Sequence, residues 1–80
     1  MPELRVLSGR KVVAIFERLG FLVAYAKGSH VKLVRRVGTE EQTLVVPLHK
    51  ELDKGTQKAI YKQALAYVDE KDISPLFYSD

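Results

Sequence analysis

The sequence has 80 residues, of which 46% are hydrophobic and 29% are charged, and it contains no cysteine. This length predicts a single small domain over residues 1–80 without a deep substrate pocket, and the composition excludes an intrinsically disordered chain. The lack of cysteine excludes disulfides, thiolate zinc sites and cysteine nucleophiles, and the longest apolar run, Phe21 to Ala26, is too short to cross a bilayer. We therefore expect a soluble, cytoplasmic protein that makes no membrane contact.

The net charge of +3 is unevenly distributed along the chain. Residues 1–38 carry eight basic and two acidic side chains, a net charge of +6, whereas residues 39–80 carry five basic and eight acidic ones, a net charge of −3. An asymmetry of this kind indicates that one part of the surface meets a polyanion. A solvated surface with uneven charge is the alternative that these counts leave open.

Apolar residues at helical spacing predict a first helix from Ser8 to Leu19. Ser8 can cap the start of this helix, and Gly20 stands where a left-handed residue commonly ends one. The apolar face consists of Val12, Ile15, Phe16 and Leu19.

Two strands and a turn are predicted next. The segment over residues 21–26 is short, apolar and rich in residues that favour strands. Lys27-Gly28-Ser29 then supplies a turn. In the second strand, His30 to Val37, apolar and basic residues alternate. Because strand side chains alternate between faces, one face of this strand is apolar and the other is basic.

A hairpin connection over residues 38–41 leads into a third strand, Gln42 to Val46, which Pro47 ends. A second helix is predicted from about Gln57 to Val68, with Thr56 as its cap. Its apolar stripe contains Ile60, Ala64 and Val68. Lys54, Lys58 and Lys62 recur every four residues and share the opposite face across the helix start and its first turns.

The order helix, three strands, helix predicts an α+β domain with both helices on one face of a three-stranded antiparallel sheet. This α-β-β-β-α layout is that of a double-stranded-RNA-binding domain. We expect the core at about residues 8–68, followed by a tail over residues 69–80 in which Pro75 interrupts a short turn between Ile73 and Tyr78.

His30 is the candidate catalytic residue. A histidine exchanges protons near neutral pH, and neighbouring cations can bind a phosphate and stabilise the charge that develops on it. RNA carries its own nucleophile, the 2′-hydroxyl, so its cleavage needs no metal. The sequence shows no cluster of ligands at metal-binding spacing, and we predict neither a metal nor another cofactor. The structural alternative is a surface histidine bonded to a turn carbonyl.

Candidate RNA-binding residues surround His30 in the sequence or start the second helix. Gly28 supplies a positive φ and can also let a phosphate backbone approach the turn. Lysines at a helix start lie where the helix dipole favours a phosphate, although a solvated helix face is the alternative. We expect His49 to be mainly structural, and contact with RNA or an auxiliary role as an acid is the alternative. The predicted RNA-binding set is Lys27, Gly28, Ser29, Lys32, Arg36, Lys54 and Lys58.

Seven short segments between residues 8 and 64 carry a resemblance to a known family. They are Ser8-Gly9-Arg10-Lys11-Val12-Val13, Leu19-Gly20-Phe21, Lys27-Gly28-Ser29-His30, Val45-Val46-Pro47-Leu48-His49, Glu51-Leu52, Gly55-Thr56 and Ile60-Tyr61-Lys62-Gln63-Ala64. In this order and spacing they resemble the HicA, or YcfA-like, toxin family of toxin–antitoxin systems.

The resemblance implies a toxin of this fold that cleaves messenger RNA, with the histidine of the Gly-Ser-His turn, here His30, as the catalytic residue. It also implies a HicB-type antitoxin that covers the active face. The second helix of the family usually ends in a Gln-Ala-Gly turn, whereas Gln63-Ala64 is followed here by Leu65, which predicts a longer helix. Two alternatives remain: a non-catalytic RNA-binding module, and an interaction domain whose basic face docks on an acidic partner.

Overall fold

Helices and strands occupy most of the chain in a computed structural model, which describes residues 2–79. The helices are α1 (Gly9–Arg18), α2 (Lys54–Ala64) and α3 (Glu70–Phe77), and the strands are β1 (Glu3–Leu4), β2 (Leu22–Lys27), β3 (His30–Val37), β4 (Glu40–Pro47) and β5 (Tyr78–Ser79). Strands β2, β3 and β4 form an antiparallel meander in that order, and β1 pairs with β5 in a separate two-stranded ladder. The predicted α+β fold with a three-stranded antiparallel sheet is confirmed.

The hydrophobic core lies between the helices and the inner face of the meander. Leu33 and Leu44 of the sheet are fully buried, as are Val12 and Phe16 of α1. These positions follow from the two periodicities of the sequence, because alternate strand residues and every third or fourth helix residue face the same side. The helical layer therefore covers one face of the sheet and leaves the other face open.

Helix α1 agrees with its prediction. The hydroxyl of Ser8 accepts a hydrogen bond from the backbone N–H of Lys11 at 3.1 Å, as an N-cap does. The helix ends at Arg18, and Gly20 follows with φ of 96°. Strand β3 also has the predicted bounds, His30 to Val37.

Helix α2 differs from its prediction at both ends. Its N-cap is Asp53 rather than Thr56, because the Asp53 carboxylate accepts hydrogen bonds from the backbone N–H of Thr56 at 3.0 Å and from its hydroxyl at 2.7 Å. The helix ends at Ala64 rather than Val68, so the expectation of a longer helix is wrong. After Ala64, the backbone N–H groups of Ala66 and Tyr67 donate to the carbonyls three residues back, those of Gln63 at 3.2 Å and Ala64 at 2.9 Å, so the chain leaves the α-helix in a tighter turn. The carbonyl of Tyr67 in this turn accepts from the guanidinium of Arg35.

Arg35 is the side chain that holds this end of the domain together. It lies on the inner face of β3 and donates to the carbonyl of Leu19 at 2.7 Å, to Gln42 Oε1 at 2.8 Å and to the carbonyl of Tyr67 at 2.8 Å. Its guanidinium carbon lies 4.7 Å from the centroid of the Phe21 ring. A guanidinium offers five N–H donors in a planar fork, and here it ties the end of α1 and the turn after α2 to the sheet.

The segment after Asp69 is a helix rather than the short interrupted turn that we predicted. Helix α3 contains Pro75, and its Ile73 and Phe77 are fully buried. A proline inside a helix removes one backbone hydrogen bond, but burial of two large apolar side chains opposes that loss. The backbone N–H of Arg5 donates to the carbonyl of Phe77 at 2.7 Å, so the two ends of the described chain are joined beside α3.

Replacement of Phe77 tests whether α3 is part of the cooperative core. Phe77→Ala should lower the free energy of unfolding by roughly 3–5 kcal/mol, because it leaves a cavity among Phe16, Tyr61 and Ile73. Urea unfolding followed by circular dichroism measures this change. The exposed Lys71→Ala in the same helix is the control and should shift stability by less than about 0.5 kcal/mol. Equal effects of the two substitutions would show that α3 does not stabilise the domain.

Candidate active site

Side chains on the open, outer face of the meander are arranged in rows across the strands, because antiparallel partners share a face. The first row contains Lys27, His30 and Pro47, the second Tyr25, Lys32 and Val45, the third Leu22, Val34 and Thr43, and the last Arg36 and Glu41. Rows on one face lie about 7 Å apart, since a strand rises about 3.3–3.4 Å per residue. This outer face is where the predicted basic side of β3 lies.

His30 opens the first row. It follows the two-residue turn Gly28-Ser29, is the first residue of β3, and is exposed. Gly28 has φ of 60°, a conformation that side-chain-bearing residues rarely adopt, and a Cβ atom built there would meet no atom within 4 Å. The predicted positive φ at Gly28 is confirmed, and the space beside this glycine is open.

Three segments meet beside His30. The backbone N–H of Leu48 donates to the carbonyl of Ser29, and that of Gly9 donates to the carbonyl of His49 at 2.9 Å. A Cβ atom at Gly9 would overlap the carbonyl group of Pro47, so only glycine permits this approach. The start of α1, the end of β4 and the β2–β3 turn therefore form one corner of the domain, and His30 stands on its outer side.

Two lysines flank His30 on the outer face. Lys27 lies directly across from it on β2, and Lys32 lies two residues further along β3. Arg36 points to the same face but lies six residues, or about 20 Å, along the strand, where it forms an exposed ion pair with Glu41 at 3.2 Å. The structure thus brings Lys27 and Lys32 close to His30 and places Arg36 at the far end of the face.

Lys54 and Lys58 belong to a different part of the surface. They are exposed on α2 in the helical layer and line a shallow cleft with Glu3 and Tyr78. The negatively charged Asp53 carboxylate already lies at the start of this helix, where it accepts a hydrogen bond from the backbone N–H of Thr56. A phosphate at the start of α2 would therefore compete with Asp53.

The exposed His49 side chain lies near this same helix start. Hydrogen bonds from the hydroxyl and the backbone N–H of Thr56 hold the pKa of Asp53 below its ordinary value of 3.8, with a smaller coulombic contribution from His49. The backbone of His49 meanwhile accepts the hydrogen bond from Gly9. His49 therefore contributes to the corner through its main chain.

Sequence reasoning did not identify Tyr25 and Val45, which complete the second row of the outer face. A β-bulge between Val23 and Tyr25 shifts the register of β2, so Tyr25 faces outward opposite Lys32. Strict alternation from Leu22 would have turned Tyr25 inward.

Arg35 is one of the eight basic residues of the first half of the chain. Its alternation with Val31 and Leu33 along β3 already places it on the apolar face of the strand.

A comparison with protein families matches residues 9–65 to the family described as "HicA toxin of bacterial toxin-antitoxin". The chain belongs to the HicA toxin family. It is therefore a toxin of a toxin–antitoxin system, and a cognate antitoxin is its partner. The matched range contains the whole meander and α1, whereas α3 lies beyond it. No curated protein matches the chain.

Within residues 2–79 of the toxin, no helix is long and apolar enough to span a membrane. The same residues include no group of three or more histidine, aspartate or glutamate side chains positioned around a common metal site.

The lowered pKa of Asp53 predicts a pH dependence of stability. Because the folded-state pKa lies below the ordinary value, the carboxylate stabilises the fold at higher pH, and this stabilisation is lost as the pH falls through the folded-state pKa. Asp53→Asn keeps a capping oxygen but does not titrate. The melting temperature of the wild type minus that of Asp53→Asn should stay constant from about pH 7 to about pH 5 and decrease below about pH 4. A difference that stays constant down to about pH 2 would contradict this prediction.

Proposed function

We propose that the toxin is an endoribonuclease that cleaves messenger RNA without a metal ion and uses His30 as general base or acid. The observation that supports this proposal is the arrangement of side chains around His30 on the outer face of the sheet. An exposed imidazole stands at an open turn with Lys27 across from it and Lys32 beside it. Such a site binds a phosphodiester and moves a proton on an exposed surface, so it needs no deep pocket.

The chemistry follows from the groups that RNA and the site supply. One imidazole nitrogen of His30 takes the proton of a 2′-hydroxyl, and the 2′ oxygen forms a bond to the adjacent phosphorus. The bond from phosphorus to the 5′ oxygen breaks, and this oxygen takes a proton from the imidazolium or from water. The products are a 2′,3′-cyclic phosphate and a 5′-hydroxyl end. The ammonium groups of Lys27 and Lys32 stabilise the negative charge that develops at phosphorus.

The remaining predicted residues have supporting roles in this proposal. Gly28 and Ser29 keep the turn small, so a phosphate backbone can approach it. Arg36 contacts the RNA at the far end of the outer face. Lys54 and Lys58, which lie in the helical layer, contact phosphates away from the cleaved bond, and His49 supports the corner through its backbone.

Replacement of His30 tests the catalytic assignment. His30→Ala should lower the cleavage rate at least about 100-fold and abolish growth arrest, because it removes the proton-transfer group. The variant should fold and bind the antitoxin, since His30 is exposed. End-labelled RNA, with analysis of the termini, measures the rate and the expected cyclic phosphate, and EDTA should leave wild-type cleavage unchanged.

The outcome that overturns the assignment is cleavage by His30→Ala at the wild-type rate. Loss of wild-type activity in EDTA with recovery in Mg²⁺ would overturn the metal-free mechanism alone. RNA binding by the wild type without any new fragments would instead select the non-catalytic RNA-binding module. Lys62→Ala, on the exposed side of α2 outside the proposed contacts, is the control and should cleave at the wild-type rate.

The two groups of lysines should have separable effects. Lys32→Ala should lower the single-turnover rate at saturating RNA, because Lys32 lies beside His30, whereas Lys58→Ala should weaken binding without changing that rate. Each substitution should also reduce the slope of log affinity against log salt concentration by about one phosphate contact. Rate measurements at saturating RNA and salt titrations of binding provide the comparison. A rate effect of Lys58→Ala equal to that of Lys32→Ala would contradict the division of roles.

A further inference from the structure

Tyr25 differs from every other aromatic residue of the toxin. Six of the seven aromatic side chains pack ring against ring in or beside the core. The pairs are Phe16 with Phe21 and Phe77, Phe21 with Tyr67, and Tyr61 with Phe77 and Tyr78. Tyr25 has no aromatic neighbour within residues 2–79, and 56% of its surface is exposed. Core packing therefore does not account for this residue.

A break in the strand ladder places Tyr25 on the outer face. The bulge between Val23 and Tyr25 shifts the register by one residue, so Tyr25 pairs with Lys32 instead of facing the core. A bulge interrupts strand pairing and re-aims a side chain, and bulges are common beside active sites. Its result here is an exposed aromatic ring in the row adjacent to His30, about 7 Å along the sheet.

The surroundings of the ring suit a nucleotide. The Lys32 ammonium lies 5.7 Å from the ring centroid, and Val45, which is 44% exposed, extends the apolar surface on the other side of Lys32. Glu41, the acidic residue on this face, lies in the last row and pairs with Arg36. Exposed aromatic rings next to cations on an open sheet are the surface on which proteins stack unpaired bases.

We propose that Tyr25 forms a nucleobase-stacking subsite, which holds an unpaired base next to the phosphate that His30 contacts. This inference rests on the proposed ribonuclease function and deepens it. A base in a duplex is stacked on its neighbours and unavailable to the ring, so the RNA is single-stranded at this position. Stacking fixes the nucleotide beside His30, and Lys32 is within reach of both its base and its phosphate.

Binding measurements on an uncleaved complex test the subsite. His30→Ala, which should bind RNA without cutting it, is the background into which Tyr25→Leu and Tyr25→Phe are introduced. The probe is a single-stranded RNA oligonucleotide that the wild-type toxin cleaves, together with a series in which one nucleotide at a time is abasic. Leu65→Ala, an exposed apolar residue of the helical layer, is the control. Circular dichroism checks that each variant is folded.

Tyr25→Leu should weaken binding of the intact RNA about tenfold, whereas Tyr25→Phe and Leu65→Ala should leave it unchanged. The slope of affinity against salt should not change, because no charge is removed. One abasic position next to the cleaved bond should weaken binding to the background protein by a similar factor and have no further effect in Tyr25→Leu. This loss of additivity identifies the base that contacts the ring.

Failure of this inference is distinguishable from failure of the ribonuclease assignment. If the wild type cleaves RNA but Tyr25→Leu and Tyr25→Phe bind it equally, the stacking subsite is wrong and the proposed function stands. Binding of the cognate antitoxin is measured with the same variants, and if Tyr25→Leu weakens that complex but not RNA binding, Tyr25 is a protein contact and the subsite is overturned. If the intact toxin neither cuts nor binds single-stranded RNA, both proposals fail.

Discussion

The close approach of Gly9 to the carbonyl of Pro47 is the contact on which the candidate site depends. It lets the backbone of α1 begin directly against the end of β4, and the hydrogen bonds from Gly9 to His49 and from Leu48 to Ser29 follow from that proximity. The turn that precedes His30 is thereby held by the chain segment that leads to α2. A side chain at residue 9 would separate these segments, because the clash is with backbone and not with a flexible side chain.

The basic residues of the first half of the chain serve two different purposes. Arg35 faces inward and uses its guanidinium to hold the sheet, the end of α1 and the turn after α2 together. Lys27 and Lys32 face outward and keep their charges on the solvent side of the sheet. The excess of positive charge along residues 1–38 is thus partly a folding interaction, and the rest is divided between surfaces: Lys27 and Lys32 lie near His30, whereas Arg5, Lys11 and Arg18 line a cleft with Pro75 and Leu76.

The parts of the fold that sequence reasoning predicted are those set by local rules. Ser8 caps α1, and the alternation in β3 separates Val31 and Leu33 from His30 and Lys32. One part that it missed is local, because Asp53, three residues before Thr56, supplies the capping oxygen of α2. The other parts involve distant partners: Arg35 donates to the Tyr67 carbonyl in the turn that follows α2, and α3 includes Pro75 because its apolar side chains are buried in the core.

The sequence by itself determined the α+β class, the antiparallel meander, the place of His30 at the first position of β3 and the resemblance to the family to which the chain belongs. These follow from periodicity, turn chemistry and short motifs, all of which are local. Only the tertiary structure decided that Arg35 ties the turn after α2 to the sheet, that α3 packs into the core and that Tyr25 faces outward beside Lys32. The physical reason is that strand register and helix placement depend on which distant side chains pack together, and a shift of one residue moves a side chain to the opposite face.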